Sequence, residues 1–125
     1  MATSTSTLGE AFAEALTAKD FERLASLLHP DVDFRALTPN QSWQASDPQH
    51  VVDDIPREWL DDATEVEELI AVQTDAFASW QRVGYRFRGH DPDGPFIVEQ
   101  QAYLQELDGQ ISWMRLLCSG LRTPS

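Results

Sequence analysis

An α+β fold, with helices first and an antiparallel sheet after, is predicted by three features of this 125-residue chain. The apolar period changes from helical to alternating at Thr64, helix-capping residues precede that point, and short turn signals follow it. The predicted order is α-α-β-α-β-β-β-β. One domain accounts for the length. Its expected bounds are residues 7–121, after a disordered 1–6 segment and before a 122–125 tail.

Thr7 opens the first helix. In "TLGE", Thr7 and Glu10 make a capping box, and Leu8, Phe12, Ala15 and Leu16 recur at helical spacing, which predicts a helix over 8–18. Asp20 caps a second helix that buries Phe21, Leu24, Leu27 and Leu28. It is expected to stop by His29, because Pro30 disfavours helical backbone at the residue before it. "VDFRAL" (32–37) alternates as a strand, and 38–46 reads as loop. Asp47 caps a third helix with Pro48 at its first position and Val51, Val52, Ile55 and Trp59 on one face. Pro56 has no N–H to donate, so this helix is expected to kink or split in two. Strands are predicted near 65–73, 77–89, 95–107 and 110–121, with "DPDG" (91–94) and "DG" (108–109) as turns.

Lys and Arg number 9 against 21 Asp and Glu, a formal charge of −12. That balance excludes nucleic acid and anionic membrane surfaces as partners, since both need a basic footprint. Cys118 is the only cysteine, so no intrachain disulfide forms, in keeping with a reducing compartment. "MATSTSTLGE" has neither the basic start nor the apolar run of a secretion signal. No apolar run approaches the roughly 18 residues of a membrane span. A soluble cytoplasmic protein is expected.

The stretch "RFRGHDPDGPF" (86–96) gathers a histidine, two aspartates and two prolines around a glycine. His90, Asp91 and Asp93 lack the recurring spacing of zinc or calcium motifs, and no glycine-rich phosphate loop is present. The segment reads as a turn. No metal and no cofactor are expected. His29, at the end of the second helix, reads as structural, and His50 has no evident partner.

"DFERLASLLHPDVDFRAL" resembles the opening helix and strand of the SnoaL-like, ketosteroid-isomerase-like group of the nuclear-transport-factor-2-like superfamily. "VGYRFRG" and "LQELDGQISWMRLL" are similar to its last strands. The resemblance spans roughly 7–121. It implies a curved antiparallel sheet wrapped by the N-terminal helices into a cone, a cystatin-like α+β fold with an apolar pocket at its mouth, and often a dimer. Members of the group include isomerases, polyketide cyclases, dehydratases, epoxide hydrolases and non-catalytic binding modules, so the fold does not choose among them. The steroid-isomerase chemistry needs a carboxylate base, a tyrosine and a protonated acid. The resemblance puts those places at Phe12, Ala36 and Gln101, none of which does the original job; Asp33 is the carboxylate nearest the base's place.

Parity separates the two faces of strand 77–89. Arg82, Arg86 and Arg88 mark a wet face, and Val83, Tyr85 and Phe87 point inward. On strand 95–107 hydrophobicity alone would bury the stripe Val98, Gln100, Ala102, Leu104 and Glu106. The resemblance instead puts Glu99, Gln101 and Tyr103 on the pocket side, and that assignment is adopted. Glu99 is then the candidate general acid or base, its pKa raised by desolvation, while Gln101 and Tyr103 orient the substrate. The same carry-over turns Met114, Leu116 and Cys118 inward and puts Trp113, Arg115 and Leu117 outside. Phe12, Phe34, Trp59, Met114, Leu116 and Cys118 join Val83, Tyr85 and Phe87 in the expected substrate-binding wall. Cys118 reads as a small buried side chain with no activating neighbour in sequence.

Two readings follow. In the first, the chain is a small-molecule enzyme of SnoaL-like type that isomerises, cyclises or dehydrates a hydrophobic oxygenated substrate by cofactor-free acid–base chemistry. In the second, it is a non-catalytic ligand-binding or protein-interaction module of the same fold. The replacement of all three steroid-isomerase groups favours the second, but an enclosed polar stripe is costly to keep, so the first is the reading adopted from the sequence and the second the alternative. Either way a homodimer is expected through the outer sheet face around Trp80, Trp113 and Leu117.

Overall fold

A computed structural model describes residues 7–39 and 41–123. Helix α1 (Leu8–Thr17) starts with the expected capping box: Glu10 N donates to Thr7 Oγ1 at 3.1 Å and Thr7 N to Glu10 Oε1 at 3.2 Å. Helix α2 (Phe21–Ser26) is capped by Asp20, which accepts from Arg23 N at 3.1 Å. Asp47 caps α3 (Pro48–Asp54), accepting from His50 N at 2.9 Å. The helix breaks at Ile55 and resumes as α4 (Pro56–Trp59). No helix among the described residues is long and apolar enough to cross a membrane.

The strands are β1 (Leu28–Thr38), β2 (Gln41–Ala45), β3 (Glu65–Phe77), β4 (Trp80–Asp91), β5 (Gly94–Leu107) and β6 (Gln110–Cys118). They form one curved, open sheet in the order β2-β1-β6-β5-β4-β3. Every neighbouring pair is antiparallel except β1 and β6, which run parallel. Helices α1, α2 and α3 pack on one face, where Phe12, Leu16, Leu24, Phe34, Tyr85 and Met114 are buried together. The other face carries the arginines of β4.

Several local expectations change. The 38–46 segment contains β2 rather than loop alone, because Gln41–Ala45 pairs back on β1. Helix α2 stops at Ser26, and His29 lies in β1, where its Nδ1 accepts from Asp31 N at 3.0 Å. Strand β3 runs on to Phe77 and turns at Ala78, whose φ is 53°, before β4 begins at Trp80. Past the last strand, Arg122 N–H and C=O bridge to Ile97 at 3.0 and 2.8 Å. The expectations for residues 1–6, 124 and 125 fall outside the described residues.

The β5–β6 hairpin turns at Asp108 and Gly109, with φ of 56° and 80°, the left-handed pair that a two-residue loop requires. Next to the turn Leu107 faces Gln110 and Glu106 faces Ile111. One step further Gln105 faces Trp113, so Ser112 is left without a partner. This is a β-bulge, two residues of one strand against one of the other. Ser112 Oγ donates to Gln105 O at 3.2 Å and closes it. Beyond the bulge Leu104 pairs with Met114, Ala102 with Leu116 and Gln100 with Cys118.

Helix α1 comes very close to β4. A Cβ on Gly9 would lie 2.7 Å from Val83 Cβ, closer than carbon atoms pack. Gly9→Ala is therefore expected to push α1 off the sheet and cost about 1–3 kcal/mol, seen as a lower urea midpoint. An unchanged midpoint would show that the helix sits further from Val83 than described.

Candidate functional site

The bulge decides which side chains face the interior. Paired residues on neighbouring strands share a face, so Gln100, Ala102 and Leu104 join the buried Met114, Leu116 and Cys118. Without Ser112, Glu99 would have stood opposite Cys118 and Gln101 opposite Leu116. The assignment of Glu99, Gln101 and Tyr103 to the pocket side is thus corrected by one residue. All three lie on the outer face, with Tyr103 47% exposed.

On that face Glu99 has no role in desolvated proton transfer. Its Oε1 accepts from Arg86 Nε at 2.7 Å, and its Oε2 from Gln101 Nε2 at 3.4 Å. These bonds, Arg86's first, hold its carboxyl below the ordinary carboxylate range, opposite to the rise expected from burial. Neighbouring charges pair likewise. Arg88 Nε lies 2.7 Å from Glu68 Oε1, and Arg82 Nη2 lies 3.7 Å from Asp75 Oδ2. Asp33 is tied to Arg115, whose Nη2 stands 3.2 Å from its Oδ2. His50 does have a partner: its Nδ1 is 2.6 Å from Asp47 Oδ2. His90 Nδ1 is 3.3 Å from Glu67 Oε2.

The interior holds a different polar group. Tyr85 and Gln100 are opposite each other on β4 and β5 and both are buried. Tyr85 Oη donates to Gln100 Oε1 at 2.5 Å, and Gln100 Nε2 donates to Cys118 Sγ at 3.2 Å. Cys118 Sγ also accepts from Gly120 N at 3.3 Å. Burial, and next the neighbouring Cys118, push the Tyr85 phenol well above its ordinary value, so it stays a neutral donor. Besides Tyr85 and Cys118, the buried polar side chains among the described residues are Gln100 and Thr64. Thr64 serves the fold: its Oγ1 donates to Asp61 Oδ1 at 3.0 Å, and its carbonyl accepts from Lys19 Nζ at 2.8 Å.

A pocket of about 430 Å³ opens where this group meets the surface. Trp59, Leu60, Phe87 and Val98 supply its apolar wall, Gln100 and Cys118 its floor, and Thr38, Pro39 and Ser119–Arg122 its rim. Three of the expected wall residues, Trp59, Phe87 and Cys118, line it. Phe12, Phe34, Val83, Met114 and Leu116 sit deeper, inside the packed core. A broader cleft of about 670 Å³ lies between α1 and the β3–β4 hairpin, among Thr74, Asp75 and Ala76, which are exposed. It encloses no buried polar group.

Gln100 was the residue that sequence reasoning missed. The signal was present: β5 alternates Val98, Gln100, Ala102, Leu104 against Glu99, Gln101, Tyr103, Gln105, and the first set is the more apolar. Phe12 and Ala36, two of the three steroid-isomerase places, are buried on the inner side, whereas Gln101 is outside.

No family model and no curated protein matches the chain. Solved structures do match. A protein of ketosteroid-isomerase-like fold from Catenulispora acidiphila, in complex with trimethylamine, is 16% identical, with a TM-score of 0.71 over 91% of this chain and 88% of its own. A protein described as a SnoaL-like polyketide cyclase from Shewanella putrefaciens is 14% identical, with a TM-score of 0.68 over 90% and 87%. An LEH-like epoxide hydrolase from M. tuberculosis is 14% identical, with a TM-score of 0.66 over 90% and 80%. The chain therefore has a ketosteroid-isomerase-like, cystatin-like fold.

Glu99 titrates as an outer-face carboxylate in this arrangement. Its lowered pKa stabilises the fold above the ordinary carboxylate value, and that contribution is lost as pH falls through the folded value. Because the pair with Arg86 is solvent-screened, the contribution stays under about 1 kcal/mol. Arg86→Ala is expected to raise the Glu99 pKa towards the ordinary carboxylate value in an NMR titration. A wild-type Glu99 pKa above that value would contradict the outer placement.

Proposed function

We propose that this chain is a small-molecule binding protein that holds an apolar ligand in the mouth of its cone without acid–base turnover. One observation carries the reading. The inner stripe of β5 is Val98, Gln100, Ala102 and Leu104, and among the described residues no carboxylate or histidine is buried beside it. Glutamine does not exchange protons near neutral pH, and the Tyr85 phenol is held neutral. Isomerisation, cyclisation and dehydration of the expected kind need a group that takes a proton. The candidate for that task, Glu99, is paired with Arg86 on the other side of the sheet. What remains inside is an apolar wall with a small, mutually bonded polar floor, the usual make-up of a binding site.

A neutral fluorescent probe, N-phenyl-1-naphthylamine, tests this directly. One probe is expected to bind per chain, and Cys118→Phe, which fills the floor of the pocket, is expected to weaken it at least tenfold with the circular dichroism spectrum unchanged. Equal binding by the folded variant would place the probe elsewhere and overturn the assignment.

The outer face supports a second proposal, a homodimer. Leu37, Tyr103 and Leu117 are 55%, 47% and 61% exposed on the adjacent strands β1, β5 and β6, and Leu37 pairs with Leu117 in register. A groove of about 660 Å³ runs along them, past Trp43 and Arg115. Contiguous exposed apolar side chains of this kind mark contact surfaces. Trp80 and Trp113 cover one another, with ring centres 4.6 Å apart, and Arg115 lies 4.2 Å over the Trp113 ring. The proposed contact is accordingly centred on Leu37 and Leu117 rather than on the two tryptophans. Sedimentation is expected to give a dimer for the wild type and a monomer for Leu117→Asp; a wild-type monomer at high concentration would contradict it.

A further inference from the structure

Residues 55–64 run as a strap from the end of α3 to the start of β3. Ile55 and Leu60 are buried, and Trp59 meets Trp43 edge to face with ring centres 6.1 Å apart. Arg57 lies over the Phe21 ring at 4.8 Å. The single turn of α4 packs mainly on α3. Trp59 and Leu60 share one cavity with Gln100 and Cys118, so the strap covers that polar group from one side. At its far end the strap is tied back to the turn between α1 and α2. Lys19 Nζ donates to Asp61 O at 2.7 Å and to Thr64 O at 2.8 Å. Lys19 is the only lysine of the chain.

Two opposed costs meet in this strap. Lys19 has a φ of 56°, the left-handed residue that ends α1, with its N–H on Leu16 O at 3.0 Å and that of Asp20 on Ala15 O at 2.9 Å. Glycine takes that conformation without strain and a lysine does not. What the lysine adds is a side chain that reaches two carbonyls on the strap. On the strap itself, Trp59 Nε1 is buried with no acceptor among the described residues. A buried donor without a partner weakens the state that buries it. Swung outward, the strap gives that N–H to water; swung back, it regains the Trp43 contact and the Lys19 bonds. A segment balanced in this way opens locally, without global unfolding. From this we infer that residues 55–64 are a hinged cover that opens as a unit, and that Lys19 is the latch that holds it shut. The break between α3 and α4 at Ile55 is the hinge. Opening uncovers Tyr85, Gln100 and Cys118. That it admits a ligand to them rests on the binding function proposed above; the motion does not.

Lys19→Gly removes the latch and suits the left-handed backbone, so it separates the two costs. Amide hydrogen exchange across 57–64 is expected to quicken about tenfold, and reaction of the buried Cys118 thiol with N-ethylmaleimide to quicken with it. Exchange in β4 and β5 is expected to stay as it is. Lys19→Met, which keeps the stem and loses the donors, is expected to open the cover in the same way. The wild type decides even if neither variant folds: its Cys118 is expected to react with only a weak urea dependence, the mark of a local opening. Wild-type labelling with the full urea dependence of global unfolding would overturn the cover. Unchanged exchange across 57–64 in the folded variants, or equal quickening in β4 and β5, would overturn the latch. If N-phenyl-1-naphthylamine binds while the cover fails these tests, the binding function stands and the hinged cover alone falls.

Discussion

Ser112 is the residue of β6 that has no partner across β5, and the placement of every later side chain on these two strands depends on that. A strand sends alternate residues to opposite faces, so a single extra residue reverses the relation between two strands for the rest of their length. Before the bulge, the turn at Asp108 and Gly109 would set Glu99 beside Cys118. After it, Gln100 stands there. The inner face of the sheet therefore carries an amide where a carboxylate would otherwise be, and the carboxylate is outside in a salt bridge.

The two faces then separate chemically. On the outer side arginine and acid pairs alternate along β3, β4 and β5, where water screens them and each is worth little. On the inner side, burial makes each polar contact matter. Tyr85, Gln100 and Cys118 meet there because their strands place them opposite one another, and each satisfies the next. Helix α1 seals this face by approaching so closely that only glycine fits at position 9. Next to α3, which is closed by its cap at Asp47, the short α4 ends at Trp59 and brings the indole to the pocket.

Much of this was legible in the residues. The caps Thr7, Asp20 and Asp47, the break before Pro56 and the inward parity of Val83, Tyr85 and Phe87 all follow from local chemistry, and the structure has each. What was not legible is non-local. Nothing in "QSWQA" announces that it will pair with β1, and nothing in β1 says that it runs parallel to β6. The bulge at Ser112 likewise has no turn residue to mark it. On β5 the alternation of Val98, Ala102 and Leu104 gave the correct face by hydrophobicity alone. A register carried over from the family resemblance reversed it, because counting by residues across a hairpin assumes one-for-one pairing.

Single-cysteine accessibility measures the orientation of β5 most directly. With Cys118 replaced by serine, cysteines placed one at a time at positions 98–103 are reacted with a water-soluble maleimide. Labelling is expected to be fast at 99, 101 and 103 and slow at 98, 100 and 102. The opposite alternation would put Glu99, Gln101 and Tyr103 back inside the cone and contradict both the bulge and the binding function drawn from it.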